Sequence, residues 1–134
     1  MKIRTTMLDD EVFESTNENN NTVRIDMRSN DLKKAQSPPE LLLSALAGCA
    51  AVDIVLMLKK RRKSVDKFEI ITDGTRQETQ PKYFTKIHSI YRITSSDVEN
   101  EELYKVAGLS LEKYCTVAAS LKSELTYSVE VIRP

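Results

Sequence analysis

Cys49 and Cys115 are the only thiols in the chain, and each sits among small residues. Cys49 is preceded by Ser44-Ala45-Leu46-Ala47-Gly48 and followed by Ala50-Ala51, within a long apolar stretch. Cys115 lies in Lys113-Tyr114-Cys115-Thr116-Val117-Ala118-Ala119, where an amphipathic segment gives way to small residues. A thiol flanked by glycine and alanine can be approached closely by another backbone or by a small substrate. As a thiolate it is a nucleophile, and a second thiol can resolve its oxidised product. The two are far apart in sequence, so only the fold can bring them together.

Few other side chains compete for a chemical role. Arg28 ends an alternating polar and apolar run, where a solvated strand-end charge explains it as well as a functional cation does. Glu40 stands three residues after Ser37 and completes a capping box, with Pro38 at the first helical position. Asp53 follows Cys49 by one helical turn and shares its face. A carboxylate there disfavours a thiolate unless it is itself paired, so Asp53 is expected to orient Arg28 or to complete a buried polar network. The single histidine, His88, falls in a strand beside charged residues, and no second His or Cys lies at metal-ligand spacing. There is no glycine-rich phosphate loop, and no cofactor is implied.

The elements that must position these residues follow from periodicity. Val23, Ile25 and Met27 alternate with Arg24, Asp26 and Arg28, which predicts a strand with one apolar and one polar face. Glu18-Asn19-Asn20-Asn21 before it predicts a turn. Ser37 starts a helix that runs to about Lys60 without a breaker after Pro39. Residues 68–73 and 83–94 read as an antiparallel pair with one wetter side. In the second strand Tyr83, Thr85, Ile87, Ser89, Tyr91 and Ile93 share a face. Ser96-Asp97-Val98-Glu99 predicts a second capping box, and Leu103, Val106, Ala107 and Tyr114 follow at helical spacing. A short helix after Cys115 and a closing strand with Leu125, Tyr127, Val129 and Val131 on one face complete an α+β chain.

Length and composition set the class. With 134 residues, a single domain spanning 1–134 is expected. Twenty basic and twenty acidic residues cancel, which argues against a nucleic-acid or anionic-lipid partner. Two cysteines do not make a secreted disulfide scaffold, and the N-terminus lacks an apolar signal-like region, so the chain reads as cytoplasmic. The apolar run 41–58 approaches the ~20 residues that a bilayer requires. Asp53, Ser44 and Gly48 interrupt it, so a helix in a soluble core or at a dimer interface is expected rather than a membrane span. The following Lys59-Lys60-Arg61-Arg62-Lys63 complements a helix C-terminus.

The run Ser37-Pro38-Pro39-Glu40-Leu41-Leu42-Leu43-Ser44-Ala45-Leu46-Ala47-Gly48-Cys49, the later Lys113-Tyr114-Cys115 and this element order resemble the OsmC/Ohr family of thiol-dependent hydroperoxide reductases. The resemblance covers about residue 22 to the C-terminus. It implies antiparallel sheets around a long central helix in an intertwined homodimer. It also implies a two-Cys peroxidase of organic hydroperoxides, with Cys49 peroxidatic, Cys115 resolving and an external dithiol as reductant. Family members supply an arginine from the loop before the first helix, and Arg28 stands at that place. The better-characterised peroxidases have a glutamate ten residues before the first cysteine. Pro39 occupies that position here, and Glu40 next to it falls on the helical face opposite Cys49, about 13 Å along the axis. The alternative reading is a non-catalytic relative that binds a small apolar ligand in an interfacial pocket, its cysteines merely buried.

Overall fold

Three strands form the first sheet of the computed structural model, which describes all 134 residues. They are β1 (Ile3–Asp9), β2 (Val12–Asn17) and β3 (Thr22–Asp26), joined as an antiparallel meander in the order β1-β2-β3. The turn expected around residues 18–21 is built by one side chain. Asn17 Oδ1 accepts hydrogen bonds from the amides of Asn19 at 3.0 Å and Asn21 at 2.8 Å, while Asn20 takes the left-handed conformation. The expected strand faces are not observed. Asp26 is fully buried, whereas Val23 and Met27 are about half exposed.

The long helix α1 (Pro38–Lys60) begins as its capping box predicts. The Ser37 amide donates to the Glu40 carboxylate at 3.0 Å, and the Glu40 amide reaches Ser37 Oγ at 3.5 Å. Its other end closes with Arg62 in the left-handed conformation and the Lys63 amide bonded back to the Leu58 carbonyl. Leu46, Ala50, Ile54 and Leu58 recur every four residues and are buried.

The second sheet contains β4 (Lys67–Arg76), β5 (Phe84–Thr94) and β6 (Glu124–Ile132), in the order β4-β5-β6. β4 and β5 are antiparallel as expected. β6 instead joins β5 in parallel, so this sheet is mixed rather than wholly antiparallel. A parallel neighbour requires a crossover. That connection is α2 (Asn100–Leu109), a π-turn (Ser110–Tyr114) and α3 (Thr116–Ala119).

Ile87, Ser89, Tyr91 and Ile93 point into the core, matching the expected alternation. Phe84 breaks the pattern. A bulge opposite Thr75 and Arg76 turns it to the buried side, over Gly74, where an added Cβ would lie 2.5 Å from the Phe84 ring. The second capping box does not form. Ser95 Oγ, rather than Ser96, accepts from the Val98 amide at 3.1 Å, and α2 begins at Asn100. Tyr114 is exposed because the π-turn shifts it off the helical face.

Contacts divide the chain into two compact units, Met1–Leu42 and Leu43–Pro134. Val12 and Asp26 are the buried residues of the first. The second holds two apolar clusters. One joins Ala50, Ile54 and Leu58 of α1 to Tyr91, Ile93, Val98, Leu103, Val106 and Ala107. The other joins Leu46 to Phe84, Ile87, Cys115 and Ala118.

Candidate functional site

The second unit brings the two thiols together. Cys49 lies on α1 at the edge of the cluster formed by Leu46, Phe84, Ile87, Cys115 and Ala118, and is half-buried. Cys115 is 3% exposed and sits between the π-turn and α3, where it serves as the N-cap of α3. Its Sγ accepts a hydrogen bond from the Ala118 amide at 3.4 Å. Both cysteines are free thiols, and Cys49 packs against the same apolar cluster that contains Cys115.

Their environments set them apart. Burial pushes the Cys115 thiol up to about 11, and the neighbouring Cys49 acts in the same direction. Only the Ala118 and Val117 amides oppose the shift. Cys115 therefore holds its proton more tightly than an ordinary thiol, beside the more exposed Cys49.

Asp53, one turn beyond Cys49, takes part in a hydrogen bond as its position suggested. Its Oδ2 accepts from Ser110 Oγ at 3.2 Å. Ser110 is fully buried and opens the π-turn, and its carbonyl accepts the Cys115 amide at 2.7 Å. Ser110 was not legible as a site residue, because only the π-turn register aims it at α1.

Arg28 and Glu40 belong to the first unit, and each has partners there. Asp26 holds Arg28 through Nε to Oδ1 at 2.9 Å and Nη2 to Oδ2 at 2.6 Å, a bidentate pair. Asp26 also accepts the amides of Arg28 at 3.0 Å and Lys34 at 2.9 Å, which pins the following loop. The Arg28 guanidinium and these amides hold the Asp26 carboxyl well below the usual carboxylate range. The Asp-x-Arg spacing was visible in the sequence, but strand alternation placed Asp26 on the solvent face. Glu40 is engaged by Ser37 and by the Lys33 ammonium. His88 bridges β5 to β6, with Nδ1 2.7 Å from Thr126 Oγ1 and Nε2 3.3 Å from Ser128 Oγ.

Comparison with known proteins gives this arrangement its context. The family model described as OsmC-like protein matches residues 30–130, a span containing both cysteines. Protein YhfA of Escherichia coli K12 is 37% identical over 108 residues, covering 79% of this chain and 81% of its own. A hypothetical protein from Aquifex aeolicus superposes with a TM-score of 0.87 at 29% identity, covering 99% of this chain and 96% of that one. The organic hydroperoxide resistance protein OhrB of Bacillus subtilis shares the fold at a TM-score of 0.62 and 14% identity, covering 98% of both chains. The chain belongs to the OsmC-like family.

Proposed function

We propose that the protein is a two-Cys thiol peroxidase that reduces organic hydroperoxides in the cytoplasm. The observation that carries this reading is the packing of both thiols in one apolar cluster, with Cys49 half-buried and Cys115 enclosed. The Cys49 thiolate attacks a peroxide oxygen, the O–O bond breaks, and the alcohol leaves with a proton. Cys49 is then a sulfenic acid. Cys115 displaces its hydroxyl, giving a disulfide and one water. A dithiol restores both thiols by exchange and is itself oxidised to a disulfide. By the family resemblance Arg28 is the candidate cation for this chemistry, and Glu40 holds the start of α1 in a supporting role.

A homodimer is part of the proposal. Val52 is 60% and Leu56 53% exposed on α1, and Ala45 and Gly48 continue the same open face. No heavy atom lies within 4 Å of where a Cβ at Gly48 would sit. A small-residue, apolar helix face of this kind is covered by a second copy more economically than by water. Sedimentation at micromolar concentration is expected to give a dimer, and a monomer would contradict it.

The direct test is consumption of cumene hydroperoxide with a dithiol reductant. Wild type turns over, Cys49→Ser does not, and Cys115→Ser reacts once and then stalls or over-oxidises. Equal activity in wild type and Cys49→Ser would end the reading. One observation favours a second reading. Arg28 is already neutralised by Asp26, as in a non-catalytic protein that only binds a small apolar ligand. Absence of any sulfenate in wild type under excess hydroperoxide would select that alternative.

A further inference from the structure

Asp53 and Ser110 form a polar link between the thiol-bearing helix and the thiol-bearing turn, at 3.2 Å. Asp53 shares the face of α1 that carries Cys49. Ser110 is fully buried, and its backbone is committed at both ends. Its amide donates to the Ala107 and Val106 carbonyls, and its carbonyl receives the Cys115 amide at 2.7 Å. The second bond spans five residues, the repeat of a π-turn. Such turns are rare and occur mostly as single-turn insertions in helices, frequently at functional sites. Here the Ser110 hydroxyl, at the start of the turn, reaches across to Asp53 on α1.

We infer that Asp53, acting through Ser110, positions Cys115 against Cys49 and so sets how readily the pair closes into a disulfide. The carboxylate serves as a hydrogen-bond acceptor rather than as an acid, a base or a charge acting on Cys49. Removing the link frees the π-turn to relax toward ordinary helical winding, which carries the Cys115 amide and its thiol away from the geometry a disulfide demands. The inference rests on the reading of Cys49 and Cys115 as a redox pair, but it does not require that a hydroperoxide be the oxidant.

Equilibration with reduced and oxidised glutathione tests it without hydroperoxide. In that exchange two protein thiols and one glutathione disulfide give the protein disulfide and two glutathione thiols. Asp53→Ala and Ser110→Ala are each expected to lower the closure constant about tenfold or more, whereas Asp53→Asn, which keeps an acceptor oxygen, stays within about threefold of wild type. Combining Asp53→Ala with Ser110→Ala should add little to either alone, because both break one bond. Circular dichroism and urea unfolding establish that each variant is folded, and if Asp53→Ala is not, Ser110→Ala decides. Closure constants unchanged in the alanine variants would overturn the inference. So would Asp53→Asn matching Asp53→Ala, because charge would then be the operative property. A wild-type pair that stays reduced at every glutathione ratio would remove the redox-pair premise as well. Loss of peroxidase activity with normal closure would instead count against the proposed function alone.

Discussion

The two three-stranded sheets are held in different ways. Every residue of β1 is exposed, and the first unit buries only Val12 and Asp26. Its order comes from polar anchors: Asn17 in one turn, and Asp26 gripping Arg28 and two backbone amides beyond β3. The second sheet buries a continuous face of β5 against α1 and α2. A polar anchor depends on charge and pH, whereas an apolar core depends on volume. Both thiols lie in the dry, volume-sensitive unit, and Arg28 in the charge-sensitive one. The thiol cluster and the Asp26–Arg28 anchor can therefore be perturbed separately.

Substitutions in each unit test that contrast. Ile54→Ala empties a fully buried site on α1 and is expected to cost about 2–5 kcal/mol in urea unfolding. Met7→Ala, on the exposed face of β1, should stay within about 0.5 kcal/mol. Comparable losses would mean that the first sheet has an apolar core after all. Gly74→Ala drives a methyl into the Phe84 ring and is expected to cost about 1–3 kcal/mol, read in the same way. A silent Gly74→Ala would show that Phe84 can swing clear.

Two smaller effects are read against pH. The folded protein raises the Cys115 thiol from 9.0 to about 11, so its neutral form contributes fully below pH 9. That contribution is lost as pH rises through 11. The stability gap between wild type and Cys115→Ala should therefore narrow on the alkaline side, and a constant gap would contradict the burial argument. Asp26 has the opposite sign. Its folded value lies below 3.8, so its contribution is present above that pH and is lost as pH falls further. Asp26→Asn should flatten the acid limb of hydrogen-exchange protection at the Lys34 amide. An unchanged acid limb would remove Asp26 as the anchor of that loop.

Much of this was readable from residue order. The Ser37 and Glu40 cap, the buried face from Ile87 to Ile93 and the two cysteine settings all follow from local pattern. What was missed depends on partners distant in sequence. Alternation misplaced Asp26 because it cannot see that Arg28 and the Lys34 amide fold back onto a carboxylate. It misplaced Phe84 because the bulge arises from pairing with β4. The π-turn leaves no periodic signature, so Ser110 was invisible and Tyr114 was assigned to the wrong face. The parallel entry of β6 was hidden because a strand's own sequence carries its faces and not its direction.

Gly48 has a consequence for how any neighbour of this helix could be detected. In the middle of an exposed helix, glycine forgoes about 1 kcal/mol of stability relative to alanine. Within one chain nothing stands where a methyl group would go. Gly48→Ala is therefore a sign test. A rise in melting temperature reports a helix facing solvent, whereas a fall reports another backbone pressed against it, with no need to isolate the partner.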